Sequence, residues 1–247
     1  MSEKKTINVT IWNEFRHEKN DEYVKSIYPN GMHAAIRDGL AFDGDLNIRL
    51  ACLDDPDCGL PDDVLNSTDV LLWWGHCYHG DVPDDLVEKI FRRVQCQGMG
   101  FIALHSAHHS KPFRKLLGVT GNLCWGDDQP EIVWNMMPAH PIAQGIPSNF
   151  PLELEELYGE PFFIPQPDEL VFTSWFKNGN IFRSGCCFYR GLGRIFYLQP
   201  GHESCRSFYN PYILKIIDNA IHWAAVQETT VVNECPHIDS IVKQYNF

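Results

Sequence analysis

Residues 69–79 of the chain read DVLLWWGHCYH, a short apolar run followed directly by a glycine and two histidines. The run 69–74 predicts a β-strand, and the polar residues after it form its exit loop. Three similar runs lie around it, INVTIW at 7–12, LNIRLAC at 46–52 and GFIAL at 100–104. Segments with helical features separate them, near 32–40, at 61–67 and from 83 to 98. This alternation predicts an α/β fold, with a mainly parallel sheet and helices on both faces.

The second half of the chain departs from that pattern. Residues 138–167 form a Pro/Gly-rich insertion that no simple βαβ unit explains. Asn178-Gly179 separates two strand-like runs, and this dipeptide readily adopts the positive φ values of a hairpin turn. A further strand is predicted at 194–198, and the helical spacing of apolar residues in 210–226 predicts a final helix over the sheet. We expect one domain at 1–226 with a β-hairpin extension, and a tail at 227–247.

Charge and hydrophobicity limit the partners of the chain. It has 247 residues, with Lys+Arg 20 against Asp+Glu 32, so its formal net charge is −12. Because no Lys/Arg-rich run breaks that balance, we expect neither nucleic acid nor an acidic membrane as a partner. No apolar run approaches the ~20 residues of a membrane span. The 44% hydrophobic content supplies an ample core and is compatible with a homo-oligomer.

The cysteines indicate a reducing compartment. There are nine, an odd number, with no C-x-x-C motif, and the first residues, MSEKKTINVT, lack the apolar stretch of a secretory signal. We therefore expect a cytoplasmic protein whose thiols are mainly small core residues. Cys186 and Cys187 are adjacent in a strand-like run, so their side chains should face opposite ways and not chelate one metal.

Histidines concentrate where predicted strands end. In open parallel sheets, ligands bind outside the carboxyl ends of the strands. A single histidine there most often caps or packs, but six of the eleven share this edge, so we expect three or more to line one pocket: His17, His76, His79, His105, His108 and His202. His108 and His109 should flank the next helix, and structural or solvent roles are expected for His140, His222 and His237.

Two chemistries fit such a pocket. His76 and His79, three residues apart in a loop, are candidate ligands for a divalent metal such as zinc, with His105 or His202 completing the site. The rival is a metal-free pocket in which imidazoles bind by hydrogen bonds and move protons. In either case, Glu14 and Glu203 are the candidate carboxylates for orientation or acid/base catalysis.

Other reaction classes find weaker support. A nucleophile elbow favours G-x-S-x-G or a cysteine, but residues 103–107 read ALHSA, so attack by Ser106 is not favoured. No G-x-G-x-x-G or Walker A motif follows the first strand, which argues against a nucleotide cofactor. Acid pairs suited to glycosidic cleavage occur in an acidic run, Glu153, Glu155, Glu156 and Glu160, although such a run is typical of solvated surface.

Aromatic residues are abundant near the predicted pocket. Residues 157–163, LYGEPFF, are stiffened by Pro161 and predict a wall or lid across the strand edge. Flat apolar faces beside polar donors suit a carbohydrate ring, although a core role is equally consistent for most of them: Trp12, Trp73, Trp74 and Trp125. We expect substrate contacts from Trp12, Asn13, His17, Tyr158 and Glu160.

At these strand ends the chain resembles the ThuA-like (trehalose utilisation) family. The matching motifs are VTIWNE at 9–14 with HE at 17–18, YP at 28–29 with GMH at 31–33, WWGH at 73–76, ALHS at 103–106, LYGEPF at 157–162 and PGHE at 200–203. The resemblance covers residues 7–225. It implies a flavodoxin-like fold of the class I glutamine amidotransferase-like group and the use of trehalose or related disaccharides, with 3-keto-sugars as candidate intermediates.

The amidotransferases of that group carry a cysteine nucleophile at the elbow and a His-Glu pair after a late strand. This chain keeps His202-Glu203 but has His105-Ser106 at the elbow, so we do not expect glutaminase activity. The leading hypothesis is a carbohydrate-modifying hydrolase or lyase, with His105, His202, Glu203 and Glu14 as catalytic residues and His76, His79, His105 and His202 as metal ligands. The alternative is a sugar-binding or regulatory module without turnover.

Overall fold

The computed structural model describes residues 6–40 and 44–225, so the predicted tail at 227–247 and His237 lie outside the described residues. Nine strands in this part of the chain form one sheet. They are β1 (Ile7–Asn13), β2 (Leu46–Cys52), β3 (Val70–Trp74), β4 (Gly100–Leu104), β5 (Cys124–Asn135), β6 (Asn149–Gly159), β7 (Glu169–Phe176), β8 (Ile181–Arg190) and β9 (Gly193–Leu198).

Seven α-helices accompany the sheet in the described ranges. They are α1 (His17–Asn20), α2 (Glu22–Ile27), α3 (Met32–Leu40), α4 (Asp62–Ser67), α5 (Asp84–Gln97), α6 (Lys111–Leu117) and α7 (Pro211–Ala224). The longer ones have clear end signals: α5 starts with two acidic residues and ends at Gly98 in the left-handed conformation, and the Asn210 side chain caps α7. These signals explain why their boundaries follow the sequence prediction closely.

The first half of the sheet is parallel. Strands β2, β1, β3, β4 and β9 lie side by side in that order, each parallel to its neighbour. This order matches the 2-1-3-4-5 order of flavodoxin-like sheets, in which the direction of winding reverses between β1 and β3. The predicted flavodoxin-like α/β fold is thus confirmed.

The second half of the sheet is antiparallel and larger than a hairpin. Strands β8, β7, β5 and β6 continue from β9, and each runs opposite to its neighbour. The hairpin predicted around Asn178-Gly179 is β7 and β8, whereas β5 and the insertion strand β6 had no clear sequence signal. Both are long, and their pairing is interrupted between Gly126 and Glu131. Such an irregularity bends the strands, so the two ends of β5 and β6 lie in different surroundings.

Apolar side chains fill both faces of the sheet. One core packs beneath α3 and α7, around Leu72 and Ile216, and the other beneath α4, α5 and α6, around Trp73 and Ile90. The predicted helices on both faces are therefore present. Cys186 and Cys187 belong to opposite cores, as their alternation in β8 predicts. None of the described helices is long and apolar enough to cross a membrane.

Candidate functional site

Four strand exits of the parallel half converge on one edge. Glu14 and His17 follow β1, His76 follows β3, His105 follows β4 and His202 follows β9. The parallel register brings these exits together, because Asn13 pairs with Trp74 and Trp74 with Leu104. The site thus begins at the β1/β3 reversal, where ligands bind in flavodoxin-like sheets.

Four imidazoles form a continuous row along this edge. The ring centroids of His17 and His76 are 5.1 Å apart, those of His76 and His202 are 5.6 Å apart, and those of His202 and His105 are 5.2 Å apart. Tyr158 from β6 stacks on His105 at 4.7 Å and ends the row. Three of the six histidines predicted to share a pocket, His76, His79 and His108, line one cavity, whereas His17, His105 and His202 of this row lie outside its lining.

Glu203 lies against three of the four imidazoles. Its Oε1 is 2.8 Å from His76 Nδ1 and 3.6 Å from His17 Nε2, and its Oε2 is 3.4 Å from His202 Nε2. Burial by itself would raise the pKa of Glu203, but the hydrogen bond from His76 and the surrounding imidazoles lower it to about 2. Glu203 is thus a buried carboxylate that stays ionised at neutral pH, and it accepts a hydrogen bond from His76 Nδ1.

His105 and Glu156 form a buried ion pair at the other end. His105 Nε2 donates to Glu156 Oε2 at 3.0 Å, and His105 Nδ1 donates to the carbonyl oxygen of Gln199 at 2.8 Å. Burial opposes a charge on His105, but the carboxylates of Glu156 and Glu155 raise its pKa to about 9. The ring is therefore an imidazolium at neutral pH, with both nitrogens protonated.

The backbone at His105 is that of an elbow. His105 has φ 50°, a conformation that non-glycine residues adopt rarely and that often marks a functional position. The next residue, Ser106, donates its hydroxyl proton to the carbonyl oxygen of Gly75 at 2.8 Å. The elbow therefore presents an imidazolium, and its serine is engaged with backbone and not with a histidine.

His202 is held by a polar chain that leaves one nitrogen free. The Ser204 hydroxyl donates to Asp128 at 2.8 Å and accepts from His202 Nδ1 at 2.6 Å. Burial and the positive charge of His105 lower the pKa of His202, so the ring is neutral. Its Nε2 is 3.4 Å from Glu203 Oε2 and 3.9 Å from Glu156 Oε2. Such a carboxylate-oriented imidazole is suited to bind a metal or to accept a proton.

Glu14 fixes the loop that carries His76. Its Oε2 accepts the backbone N–H of His76 at 2.8 Å and of Tyr78 at 2.9 Å, and its Oε1 accepts that of Cys77 at 3.3 Å. Burial would raise its pKa, but His17 and these N–H groups lower it. Glu14 was predicted as a catalytic carboxylate, whereas its contacts are those of a positioning residue.

Glu155 does the same for the loop that carries His202. Its carboxylate accepts the backbone N–H of Gly201 at 2.9 Å and of His202 at 3.0 Å, together with the Ser207 hydroxyl. Glu155 is fully buried and Glu156 nearly so. The expectation of a solvated acidic run is therefore wrong for these two residues, because β6 crosses the strand edge and turns both toward the histidines.

A cavity of about 420 Å³ opens beside the row. Glu156, Tyr158 and Ser106 line it, and the exit loop after β3 supplies Cys77 and His76, the one member of the row among its lining residues in the described structure. Trp125 of β5 also lines it. The volume lies within the range of about 300–1,000 Å³ that small-molecule sites occupy. Tyr158, predicted to contact substrate, thus lies in the wall of this cavity.

The other four predicted substrate contacts lie outside the cavity lining, His17 among them, which belongs to the imidazole row instead. Trp12 is buried and stacks on Trp73 at 3.8 Å between centroids. Asn13 is fully buried and donates to Glu18 at 2.7 Å. Both belong to β1, which is covered on both faces, so these side chains have packing roles instead. Glu160 lies beyond the end of β6 in a bidentate ion pair with Arg183, at 2.7 and 2.9 Å.

The predicted metal ligands divide into two sets. His76, His202 and Glu203 have ligand atoms within 4.8 Å of one another, as do His105, Glu156 and His202. His79 joins no such group in the part of the chain that the structure describes; it lines the cavity near His109 instead. Since both nitrogens of His105 are engaged, the first set is the better fit to a cation. Sequence reasoning proposed His79 from its spacing, considered Glu156 only as part of an acidic run and missed Asp128.

The remaining described histidines have structural partners. His108 lies in the 3-10 turn His105–His109 before α6 and donates to the Gly121 carbonyl oxygen at 2.7 Å. His140 accepts from Ile142 N–H at 3.1 Å and donates to Glu169. His222 donates from Nδ1 to the Asp218 carbonyl oxygen at 2.8 Å. These contacts agree with the flanking and structural roles expected from their positions.

Comparisons with known proteins show the fold and the family of the chain. In fold, the chain is similar to ThuA-like proteins from Parabacteroides merdae (TM-score 0.66, 15% identity, 94% of each chain covered) and Bacteroides uniformis (TM-score 0.61, 15% identity, 90% of this chain and 93% of the other). It is also similar to a cytoplasmic protein from Salmonella typhimurium (TM-score 0.57, 13% identity, 89% and 99% covered).

No curated protein matches the chain in sequence. The model of the ThuA family, described as trehalose utilisation, matches residues 8–224. That range begins in β1, ends with α7 and includes every residue of the imidazole row. The chain therefore belongs to the ThuA, trehalose utilisation, family.

Proposed function

We propose that the chain is an enzyme that modifies a trehalose-type sugar in the cavity beside the imidazole row. One observation carries this proposal: a cationic His105, a neutral His202 and the ionised Glu203 lie side by side, and their partners Glu156 and His76 line a cavity of sugar size. Neighbouring groups whose environments push their pKa values apart are typical of acid/base sites. The family's description as trehalose utilisation supports a sugar as the substrate class.

A divalent metal such as zinc is part of the proposal. His76, His202 and Glu203 would hold it, since two imidazoles and a carboxylate are a common catalytic zinc set with an open position. The fit is supported by Glu203 Oε2, a buried oxygen without a hydrogen-bond partner in the described structure. A metal held there would polarise a sugar oxygen or lower the pKa of a bound water.

The protein's own groups would then move the protons. His105, kept charged by Glu156 and without exposed surface, would supply a proton to the cavity through Glu156 or Tyr158, which line it. His202 Nε2 is placed to accept one when no metal occupies it. Tyr158, whose hydroxyl is 3.2 Å from His105 Nε2, would orient the substrate beside that proton. These roles suit a hydrolase or a lyase acting at a glycosidic carbon or its neighbour.

Metal binding and turnover can be tested together. Purified protein is stripped with a chelator and titrated with zinc, using the wild type, His202→Ala, Glu203→Gln and the control His222→Ala. We expect one zinc per chain, an affinity at least about tenfold lower in the first two variants and no change in the control. Turnover of trehalose and its 3-keto derivative should fall in parallel. Equal zinc affinity in all four proteins would refute the metal site.

A sugar-binding module without turnover is the second candidate. It is favoured by the elbow, where His105 stands in place of a nucleophile and Ser106 is bonded to backbone. Saturable trehalose binding without product in the metal-loaded protein would support it over the enzyme.

We also propose that the protein works in a reducing cytoplasm. The eight cysteines that the structure describes are all free thiols. Free cysteines at this density are typical of reducing compartments.

A further inference from the structure

Trp125 is unusual among the tryptophans of this chain. Trp12, Trp73 and Trp74, which the sequence equally offered as flat faces for a sugar, are buried in the sheet. Trp125 is 72% exposed, the highest value among the large apolar side chains in the described residues. It nevertheless lines the cavity beside the imidazole row. An exposed indole at the rim of a polar cavity offers an apolar face to a ligand.

The strand pairing places this indole near the reacting groups. Trp125 of β5 is directly opposite Tyr158 of β6, so the two residues are neighbours across the strands. Tyr158 in turn stacks on His105. One face of the β5–β6 ribbon therefore leads from Tyr158, which lines the cavity and stacks on the buried imidazolium, to the indole of Trp125.

Polar side chains line the same cavity as the indole. His79 Nε2 is buried, lines the cavity and has no hydrogen-bond partner in the described structure. His109 Nε2 and Asn122 Oδ1, which also line the cavity, bond to each other at 2.8 Å. None of these three residues belongs to the metal set. A buried unpaired nitrogen costs free energy unless a ligand group, such as a hydroxyl, meets it.

We propose that Trp125, His79, His109 and Asn122 form a second sugar subsite, so that the substrate is a disaccharide or glycoside with two occupied positions. One ring lies at the imidazole row, and the C–H face of the other lies on the indole of Trp125 while its hydroxyls bond to His79 and the His109–Asn122 pair. This subsite rests on the proposed sugar function and extends it from the reacting ring to the ring that sets specificity. Such sites combine apolar faces with a few placed polar groups.

The subsite is tested by comparing a disaccharide with its single ring. Isothermal titration of the metal-loaded protein measures trehalose and glucose binding to the wild type, Trp125→Ala and Trp125→Phe. Trp175→Ala is the matched control, because Trp175 is also exposed but lies on the outer face of β7 away from this cavity. Because Trp125 is exposed, its removal should leave folding intact, which thermal unfolding checks.

We expect the wild type to bind trehalose at least about tenfold more tightly than glucose. Trp125→Ala should lose about tenfold in trehalose affinity and keep glucose affinity within about threefold, whereas Trp125→Phe and Trp175→Ala should stay near the wild type. An unchanged trehalose-to-glucose ratio in Trp125→Ala would overturn the subsite and leave the proposed function standing. Absence of saturable binding of either sugar to the wild type would overturn both.

Discussion

Replacing Glu14 with glutamine keeps the size of the side chain but removes the charge that holds the His76 loop. One oxygen of Glu14 accepts two backbone N–H groups, at 2.8 and 2.9 Å, and the other accepts a third at 3.3 Å. In glutamine one of these oxygens becomes an NH₂ group, which faces a donor it cannot satisfy. Hydrogen bonds to a charged acceptor contribute about 1.5–3 kcal/mol each and neutral ones about half as much.

We therefore expect Glu14→Gln to lower the free energy of unfolding by about 2–4 kcal/mol, which for a chain of this size lowers Tm by roughly 5–15 °C. Urea and thermal unfolding of the metal-free protein measure the effect. The matched control is Glu153→Gln, an exposed glutamate of β6 that should stay within about 0.5 kcal/mol of the wild type. If Glu14→Gln also stayed within that margin, the carboxylate would not hold the loop.

The same carboxylate predicts a dependence on pH. Because the folded pKa of Glu14 is below its unfolded value of about 4.3, its stabilising effect is complete above that pH. The effect is lost as the pH falls through the lower, folded pKa. Glu14 also raises the pKa of His17, so the difference in stability between the wild type and Glu14→Gln should increase as the pH falls through that raised pKa, level off below the unfolded His17 value of about 6.5 and shrink below about pH 4. A difference that continued to grow below about pH 4 would contradict this assignment.

Two further predictions test the cavity and the core. Bound trehalose should slow the alkylation of Cys77, an exposed thiol that lines the cavity, as measured by peptide mass spectrometry. The alkylation rate of the exposed Cys96 on α5 should not change. Equal alkylation rates of Cys77 with and without the sugar would place the ligand elsewhere. Leu72→Ala in the buried strand β3 should lower the unfolding free energy by about 2–5 kcal/mol, against less than about 0.5 kcal/mol for the partly exposed Leu192→Ala. Similar denaturation midpoints for the two variants would argue against this core.

The parallel half of the fold was predictable from local patterns. Short apolar runs, proline and acidic residues at the start of α5 and glycine at its end all indicate the observed elements. The convergence of His76, His105 and His202 followed from a general property of parallel sheets, that their carboxyl ends share an edge. No knowledge of side-chain contacts was needed for that step.

The antiparallel half shows where sequence patterns fail. Glu155 and Glu156 lie in a run of acids that looks solvated, and only the path of β6 over the strand edge explains their burial. The substrate contacts expected from Trp12 and Asn13 are absent from the cavity lining for the opposite reason. A central strand is covered on both faces, so its polar and aromatic side chains are not directed to the edge. His79 has metal-like spacing, but its loop turns the ring toward His109.

The two halves of the sheet contribute different residues to the cavity. The exits of the parallel strands supply His76, His79 and Ser106 to its lining, whereas the β5–β6 ribbon supplies Trp125, Glu156 and Tyr158. Substrate preference can therefore diverge through Trp125 at the rim while Asp128, Glu155 and Glu156 of the same ribbon continue to hold His202 and His105. A chimera that exchanges only residues 122–126 between two family members should exchange their sugar preferences and retain the zinc affinity of the recipient. This architecture favours an evolutionary pattern in which the reaction stays constant while the preferred sugar changes.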